Sequence, residues 1–103
     1  IFGDMLELGN YSEKAHRLVA KHIIDSHIKI FIGIGQKTKF TFESLEKSGF
    51  DKNNMYHFDN ADEARLKVQD LIYPGDLILI KGSHSMHLEI ILKEIAFEPD
   101  SIV

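Results

Sequence analysis

The sequence predicts an α/β domain, a Rossmann-like, mostly parallel sheet with helices on both faces. Short apolar runs alternate along the chain with segments patterned at the helical period, in the order strand, helix, strand, helix, strand, helix, strand, helix. The last run, Leu77-Ile78-Leu79-Ile80, has no polar break. Such a run is too apolar for a strand with one wet face, so residues 76–80 are predicted to lie in the middle of the sheet, flanked on both sides. Glycine and proline punctuate the joins at Gly9, Gly33, Gly35, Gly49 and Pro74-Gly75.

At 103 residues the chain has room for one domain with a real core. Apolar residues make up 44% and charged ones 27%, ordinary values for a globular protein, and no run reaches the length of a membrane span. The net charge of -4, with no block of Lys and Arg, argues against nucleic acid as a partner. Cysteine is absent, which removes disulfides and thiolate metal sites and fits a reducing compartment such as the cytoplasm.

Taken in order, Ile1-Phe2-Gly3 reads as the tail of a buried strand cut near its end, so the chain is expected to be a fragment of something longer. Residues 4–10 form a loop. Ser12 is the expected N-cap of a helix over residues 12–26, with Ala15, Leu18, Val19, His22 and Ile23 on one face. Residues 28–32 form the second strand, ended by Gly33-Ile34-Gly35. A helix over 37–47 buries Phe42 and Leu45 and stops at Gly49. Met55-Tyr56-His57-Phe58 is the third strand. Asn60, with Glu63 three residues on, gives a capping-box-like start to a helix that buries Ala64, Val68 and Leu71. After the strand at 76–80, a last helix over 86–95 carries the stripe Leu88, Ile91, Leu92 and Ile95. Residues 101–103 add a short edge strand or fray.

The composition switches at the end of the 76–80 run to Lys81-Gly82-Ser83-His84-Ser85, and there chemistry is expected. In open α/β sheets ligands bind beyond the carboxyl ends of the strands, where the first N–H groups of the next helix favour anions. Lys81 supplies a fixed positive charge, Gly82 allows close backbone approach, and the Ser83 and Ser85 hydroxyls cap the helix or bind a ligand. Asp4 follows a strand-ending glycine and is placed at the same edge of the sheet. Gly33-Ile34-Gly35 lacks the third glycine of a dinucleotide fingerprint and is preferred as a plain strand-to-helix turn. His84 and His87, with Asp4 or Glu7 nearby, raise a metal site, but no second histidine pair supports it and no metal is expected. His22 reads as a core or boundary residue, while His16, His27 and His57 show no pattern.

Two stretches carry a more specific message. Gly3-Asp4-Met5-Leu6-Glu7-Leu8-Gly9 and Lys81-Gly82-Ser83-His84-Ser85-Met86-His87-Leu88-Glu89, separated by three strand-helix units, resemble the C-terminal domain of the Mur ligases of bacterial cell-wall synthesis. Glu13-Lys14-Ala15-His16, the Gly33-Ile34-Gly35 strand end and Pro74-Gly75-Asp76 add to the likeness, which covers residues 1–103 almost throughout. Within the family it is nearest to the branch that adds D-alanyl-D-alanine to UDP-N-acetylmuramoyl-tripeptide. The resemblance implies a cytoplasmic, ATP-dependent amide ligase of three domains, of which this is the third. In such enzymes the central domain holds ATP and Mg2+ and activates the substrate carboxylate as an acyl phosphate; the third domain closes over it and brings in the amine. ATP and Mg2+ are therefore expected mainly outside this chain, which alone is expected to be inactive.

Carried over by position, Asp4 matches the aspartate on the nucleotide side of the closed cleft. Lys81, Gly82 and Ser83, with His84 and Ser85 after them, match the loop that helps to hold the acceptor dipeptide. The family's usual residue after Lys-Gly-Ser is Arg, and here it is His84. Arg grips a carboxylate with a two-pronged donor, whereas His offers one donor and partial charge near neutral pH. The resemblance places no catalytic residue in this chain. The expected site is a small electropositive pocket beside Asp4, with Lys81 as its charge.

The competing reading is a non-catalytic α/β module that binds a small molecule or another protein. A receiver-like version is disfavoured, because the first strand end offers only Asp4 and Asp59 lies just beyond the third strand. The absence of a phosphate loop ending in Gly-Lys-Ser/Thr yields the first test. Calorimetry of this chain with ATP is expected to show no micromolar binding, and a phosphate-release assay no turnover.

Overall fold

The computed structural model describes residues 1–95. Three parallel strands, β1 (Phe2–Gly3), β2 (Phe31–Ile34) and β3 (Met55–Phe58), form a sheet in the order β1-β2-β3, with Phe2 opposite Gly33 and Phe31 opposite Met55. Helix α1 (Ser12–Asp25) joins β1 to β2, and α2 (Thr38–Lys47) joins β2 to β3. Helices α3 (Ala61–Arg65) and α4 (Glu89–Ile95) follow.

Side chains alternate across β2, as the twofold period of a strand requires. Ile32 and Ile34 face a core built from Ala61, Ala64, Val68, Leu88 and Ile91, hence from α3, the turn after it, and α4. Phe31 faces the opposite core with Phe2, Met55, Ala20, Ile23 and Leu45, hence α1 and α2. The expected α/β layering, with helices on both faces of a parallel sheet, is therefore what the chain adopts. No helix among the described residues is long and apolar enough to cross a membrane.

Several elements lie where their residues predict. The strand Met55–Phe58 is as expected, and α2 ends at Gly49 in a left-handed conformation with φ of 88°. There Phe50 N–H donates to the Leu45 carbonyl (3.0 Å) and Gly49 N–H to that of Glu46 (3.2 Å), the paired bonds of a Schellman ending. The Asn60 side chain accepts from Glu63 N–H at 2.9 Å, and the Glu63 carboxylate accepts from Asp59 N–H at 2.8 Å. This is the anticipated capping box, with the return bond one residue earlier than usual.

Other expectations need correction. Residues 76–80 do not lie in the middle of the sheet. Among the described residues this segment is the sheet's outer edge, held to β1 on one side through Ile1 N–H to Leu79 O (2.8 Å), Lys81 N–H to Ile1 O (2.9 Å) and Gly3 N–H to Lys81 O (2.7 Å). Leu77 is fully exposed at 101% and Leu79 is 60% exposed, while Ile78 and Ile80 are half-buried. An unbroken apolar run reports only that both faces are apolar, and here one face borders an open groove. The second strand runs through Gly33 and Ile34 instead of ending before them, because Ile34 completes the core of α3 and α4. Ser12 is the first residue of α1, preceded by a 3-10 turn at Gly9–Tyr11, and is no N-cap.

The buried face of α1 is rotated from the expected one. Ser12, His16, Ala20 and Ile23 are buried, Val19 is half-buried, and Leu18 and His22 are exposed. Small Ala20 sits against the sheet, and His16 is drawn in by its hydrogen bonds. Of the expected last-helix stripe, Leu88, just before α4, and Ile91 are buried and Leu92 is 52% exposed. The helix is shorter than expected, because His87 adopts a left-handed φ of 56° after the 3-10 turn His84–Met86. The expected edge strand at 101–103 lies outside the described residues.

The start of α2 depends on β1. Asp4, buried at 6% exposure, accepts from Thr38 N–H through Oδ1 at 2.9 Å, so its negative charge sits on the helix's positive end. Gly35 makes room for it: φ there is 107°, and a Cβ would lie 2.5 Å from the Asp4 carboxyl carbon. Around Gly49 a Cβ would meet nothing. Gly49→Ala is expected to cost about 1 kcal/mol, from backbone strain alone. Gly35→Ala is expected to cost about 3 kcal/mol, because strain is joined by loss of the Asp4 cap. Urea denaturation of the two variants checks this, and equal losses would contradict the role given to Asp4.

Candidate functional site

The carboxyl ends of β1, β2 and β3 bring Asp4, Gly35-Gln36 and Asp59-Asn60 to one edge of the sheet, and the Ser85-His87 loop closes over them. A hollow of about 350 Å3 lies between, lined by Asp4, Gln36, Asp59, Asp62, Ser85 and His87 among others. Gln36 donates to Asp59 at 3.1 Å. The Gly35 carbonyl accepts from the Thr38 hydroxyl (2.8 Å) and lies 2.7 Å from His57 Nε2, which therefore carries a hydrogen toward it. The Gly35 carbonyl is thus doubly bonded, and the internal carboxylate of Asp4 binds the Thr38 N–H at the start of α2.

That arrangement bears on nucleotide binding. The Gly33-to-Thr38 turn is the only stretch the sequence offered as a pyrophosphate cradle, and its helix terminus already holds an anion. No group of three His, Asp or Glu residues that could hold a metal ion occurs among the described residues.

The Lys81-to-Ser85 loop is shaped mainly by its backbone. Lys81 is tied through N–H and carbonyl to Ile1 and Gly3, and its side chain is exposed. At Gly82 the close approach is internal: a Cβ would come 2.8 Å from a Leu88 methyl and 3.0 Å from Gly3 Cα. Glycine is needed there so that the chain leaving the edge segment can pass this close to Gly3. Ser83 donates through its N–H to the Asp4 carbonyl at 3.0 Å, and its Oγ accepts from Leu6 N–H at 2.7 Å. The hydroxyl hydrogen of Ser83 remains available to donate. Ser83 precedes the 3-10 turn without capping it by its side chain.

His84 and Ser85 are exposed. His87 is 70% exposed and lies 3.4 Å from Glu89. The Glu89 carboxyl is held below its ordinary range, first by its own backbone N–H and then by His87. Glu7 is exposed, in a left-handed backbone conformation with φ of 65°.

The structure does not gather the expected residues into one electropositive pocket. Asp4 and Ser85 line the small hollow, whose other charged neighbours are Asp59 and Asp62. Lys81, Gly82, Ser83 and His84 line a separate open groove of about 1420 Å3 that runs beside the edge segment, past Ile1, Val19, Ile23, Leu77 and Leu79. The Ser83 bonds to Asp4 and Leu6 form the wall between the two. Sequence spacing placed Lys81 and Asp4 at the same edge correctly. It could not tell that the side chains leave that edge toward different hollows.

Sequence reasoning also missed His16, Thr38, Thr41 and His57. His16 is fully buried, and so are Thr38 and Thr41. Thr41 donates its hydroxyl hydrogen to the His16 carbonyl at 2.6 Å, binding α2 to α1. For His16 the available signals were its place in the Glu13-Lys14-Ala15-His16 match and Ser12 four residues before it on a helix.

Comparison with known proteins comes to the same place as the motifs. The chain is 33% identical over 89 residues to UDP-N-acetylmuramoyl-tripeptide–D-alanyl-D-alanine ligase of Rickettsia prowazekii, covering 86% of this chain and 19% of that protein. It is 32% identical over 99 residues to the ligase of the same name from Bacillus subtilis, covering 96% and 21%. The Buchnera aphidicola ligase is 29% identical over 100 residues, covering 95% and 20%. The chain spans about a fifth of the length of these curated relatives. No family model and no solved structure matches it. The likeness runs through nearly all of this chain and about a fifth of each relative, in agreement with the resemblance to the Mur ligases carried by the two motifs.

Proposed function

We propose that this chain is the C-terminal, acceptor-side domain of an ATP-dependent amide ligase that joins D-alanyl-D-alanine to UDP-N-acetylmuramoyl-tripeptide in bacterial peptidoglycan synthesis. The observation that carries the proposal is the match of almost the whole chain to three ligases of that name. In this reading the rest of a longer, cytoplasmic enzyme holds ATP and Mg2+, and the present chain alone is inactive. Its own contribution is to receive the dipeptide and to help close the active site.

The acceptor presents a carboxylate to be held and an amine that must stay free and neutral to attack. Lys81, at the end of the edge segment with its ammonium exposed, supplies the charge. The Ser83 hydroxyl, with its oxygen already bonded to Leu6 N–H, directs its hydrogen outward as a donor. His84 and Ser85 extend the polar rim, and Gly82 keeps the backbone close to β1. Asp4 lies across the wall on the nucleotide side, where its part is to hold α2 and the strand-end loops in register. In this reading the dipeptide carboxylate binds in the mouth of the groove beside Lys81, a choice supported by the separation of Lys81 and Asp4 into different hollows.

A charge-assisted contact of this kind is worth roughly 1.5–3 kcal/mol, so Lys81→Ala in the full-length ligase is expected to weaken acceptor use about ten- to a hundredfold. Affinity for ATP is expected to stay the same. His84→Arg, which restores the family's usual residue, is expected to lower the KM for D-alanyl-D-alanine. Steady-state kinetics with the dipeptide decide the matter. Unchanged acceptor kinetics in Lys81→Ala would remove Lys81 from the site, and a ligase inactive on the dipeptide altogether would remove the reading itself.

A further inference from the structure

The loop between β1 and α1 is pinned by a buried titratable side chain to which the acceptor reading assigns no part. His16 is fully buried, its ring packed against Phe2 at 5.7 Å between centroids. Its Nδ1 lies 2.6 Å from the Ser12 carbonyl oxygen, which can only accept. Its Nε2 lies 3.0 Å from the backbone nitrogen of Met5, whose N–H can only donate. Both partners have fixed roles, so the ring must carry its hydrogen on Nδ1 and present a lone pair at Nε2. Free histidine side chains in water favour the opposite tautomer.

The residue held this way is the middle one of three. Asp4, before Met5, accepts from Ser83 N–H at 3.0 Å through its carbonyl; Leu6, after it, donates to Ser83 Oγ at 2.7 Å. His16 is itself fixed between helices, because the Thr41 hydroxyl of α2 donates to its carbonyl. We infer that His16 is a positioning residue for Ser83: it clamps Met5 from behind, so that the flanking residues hold the Ser83 hydroxyl at one place and angle. The inference rests on the reading of residues 81–85 as the acceptor loop. It adds a residue 67 positions away in sequence that never touches the dipeptide.

The wild-type protein supplies the first test. Two-bond proton–nitrogen spectra of the 15N-labelled chain are expected to show a protonated Nδ1 and a bare Nε2 for His16 at neutral pH. A ring protonated at Nε2, alone or together with Nδ1, would overturn the inference. Two variants supply the second. In His16→Gln the side-chain oxygen reaches the position of Nε2 and can accept from Met5, whereas His16→Phe keeps the ring's bulk and accepts nothing. Amide exchange at Met5 and Leu6 is expected to quicken about tenfold in His16→Phe and to stay within about twofold in His16→Gln. Unchanged exchange in His16→Phe would overturn the clamp.

In the full-length ligase, His16→Phe is expected to raise the KM for D-alanyl-D-alanine several-fold, with the KM for ATP unchanged and with recovery in His16→Gln. A purely structural role would move both constants or neither, and would not separate the variants. Failure of the acceptor reading would appear as neutral Lys81→Ala kinetics with the His16 tautomer intact. Failure of this inference would appear as an effective Lys81→Ala beside a silent His16→Phe.

Discussion

The carboxylate of Asp4 on the first turn of α2 is the contact on which the rest of the arrangement depends. It satisfies Thr38 N–H, one of the donors that a helix start leaves unpaired, and places negative charge where the helix dipole is positive. Two neighbours are shaped around it. Gly35 must lack a Cβ because the carboxylate occupies that space, and the Gly35 carbonyl in turn receives Thr38 and His57. On its other side the Asp4 backbone receives Ser83. One short loop after a two-residue strand thereby sets the relative positions of β2, α2 and the edge segment.

Much of the fold was legible because it rests on local rules. The apolar period located four helices and three strands, Gly49 marked the end of α2, and Asn60 with Glu63 marked the start of α3. Each signal acts within a few residues, where chain geometry leaves little choice. The edge segment was misplaced for the opposite reason. Whether Leu77-Ile78-Leu79-Ile80 has one neighbour or two is a property of the sheet, and an apolar side chain beside an open groove looks the same in sequence as one in a core. Likewise Leu18 outranks Ala20 in hydrophobicity, yet Ala20 lies on the face turned to Phe2, Phe31 and Leu45 while Leu18 is 54% exposed.

At the candidate site, neighbours along the sheet edge were legible in the sequence and their shape was not. The switch from apolar run to Lys81-Gly82-Ser83-His84-Ser85 marked the end of the edge segment, and Gly3-Asp4 marked the neighbouring end of β1. What decided the geometry was a set of buried polar bonds across long stretches of sequence: Met5 to His16, Leu6 to Ser83, Thr38 to Asp4, Thr41 to His16. None has a periodic or compositional trace. Burying such groups is tolerable only when each finds a partner, and no buried side-chain polar atom among the described residues lacks one. Residues dismissed as patternless, His16 and His57 above all, are therefore the ones that join the elements.

The same division explains how the Lys81-to-Ser85 loop can vary in its exposed side chains without disturbing the fold. Its course is set by main-chain bonds: Lys81 to Ile1 and Gly3, Ser83 to Asp4, Met86 to Ser83. Gly82 is constrained by Leu88 and Gly3, and Ser83 by Leu6, so these two positions serve structure as well as any ligand. Lys81, His84 and Ser85 point outward, with their backbones already satisfied or in the solvent. An exposed side chain that bears no structural bond can be exchanged at a cost within roughly half a kcal/mol of stability. Histidine at 84 can therefore be exchanged without loss of the fold, which draws no bond from its side chain.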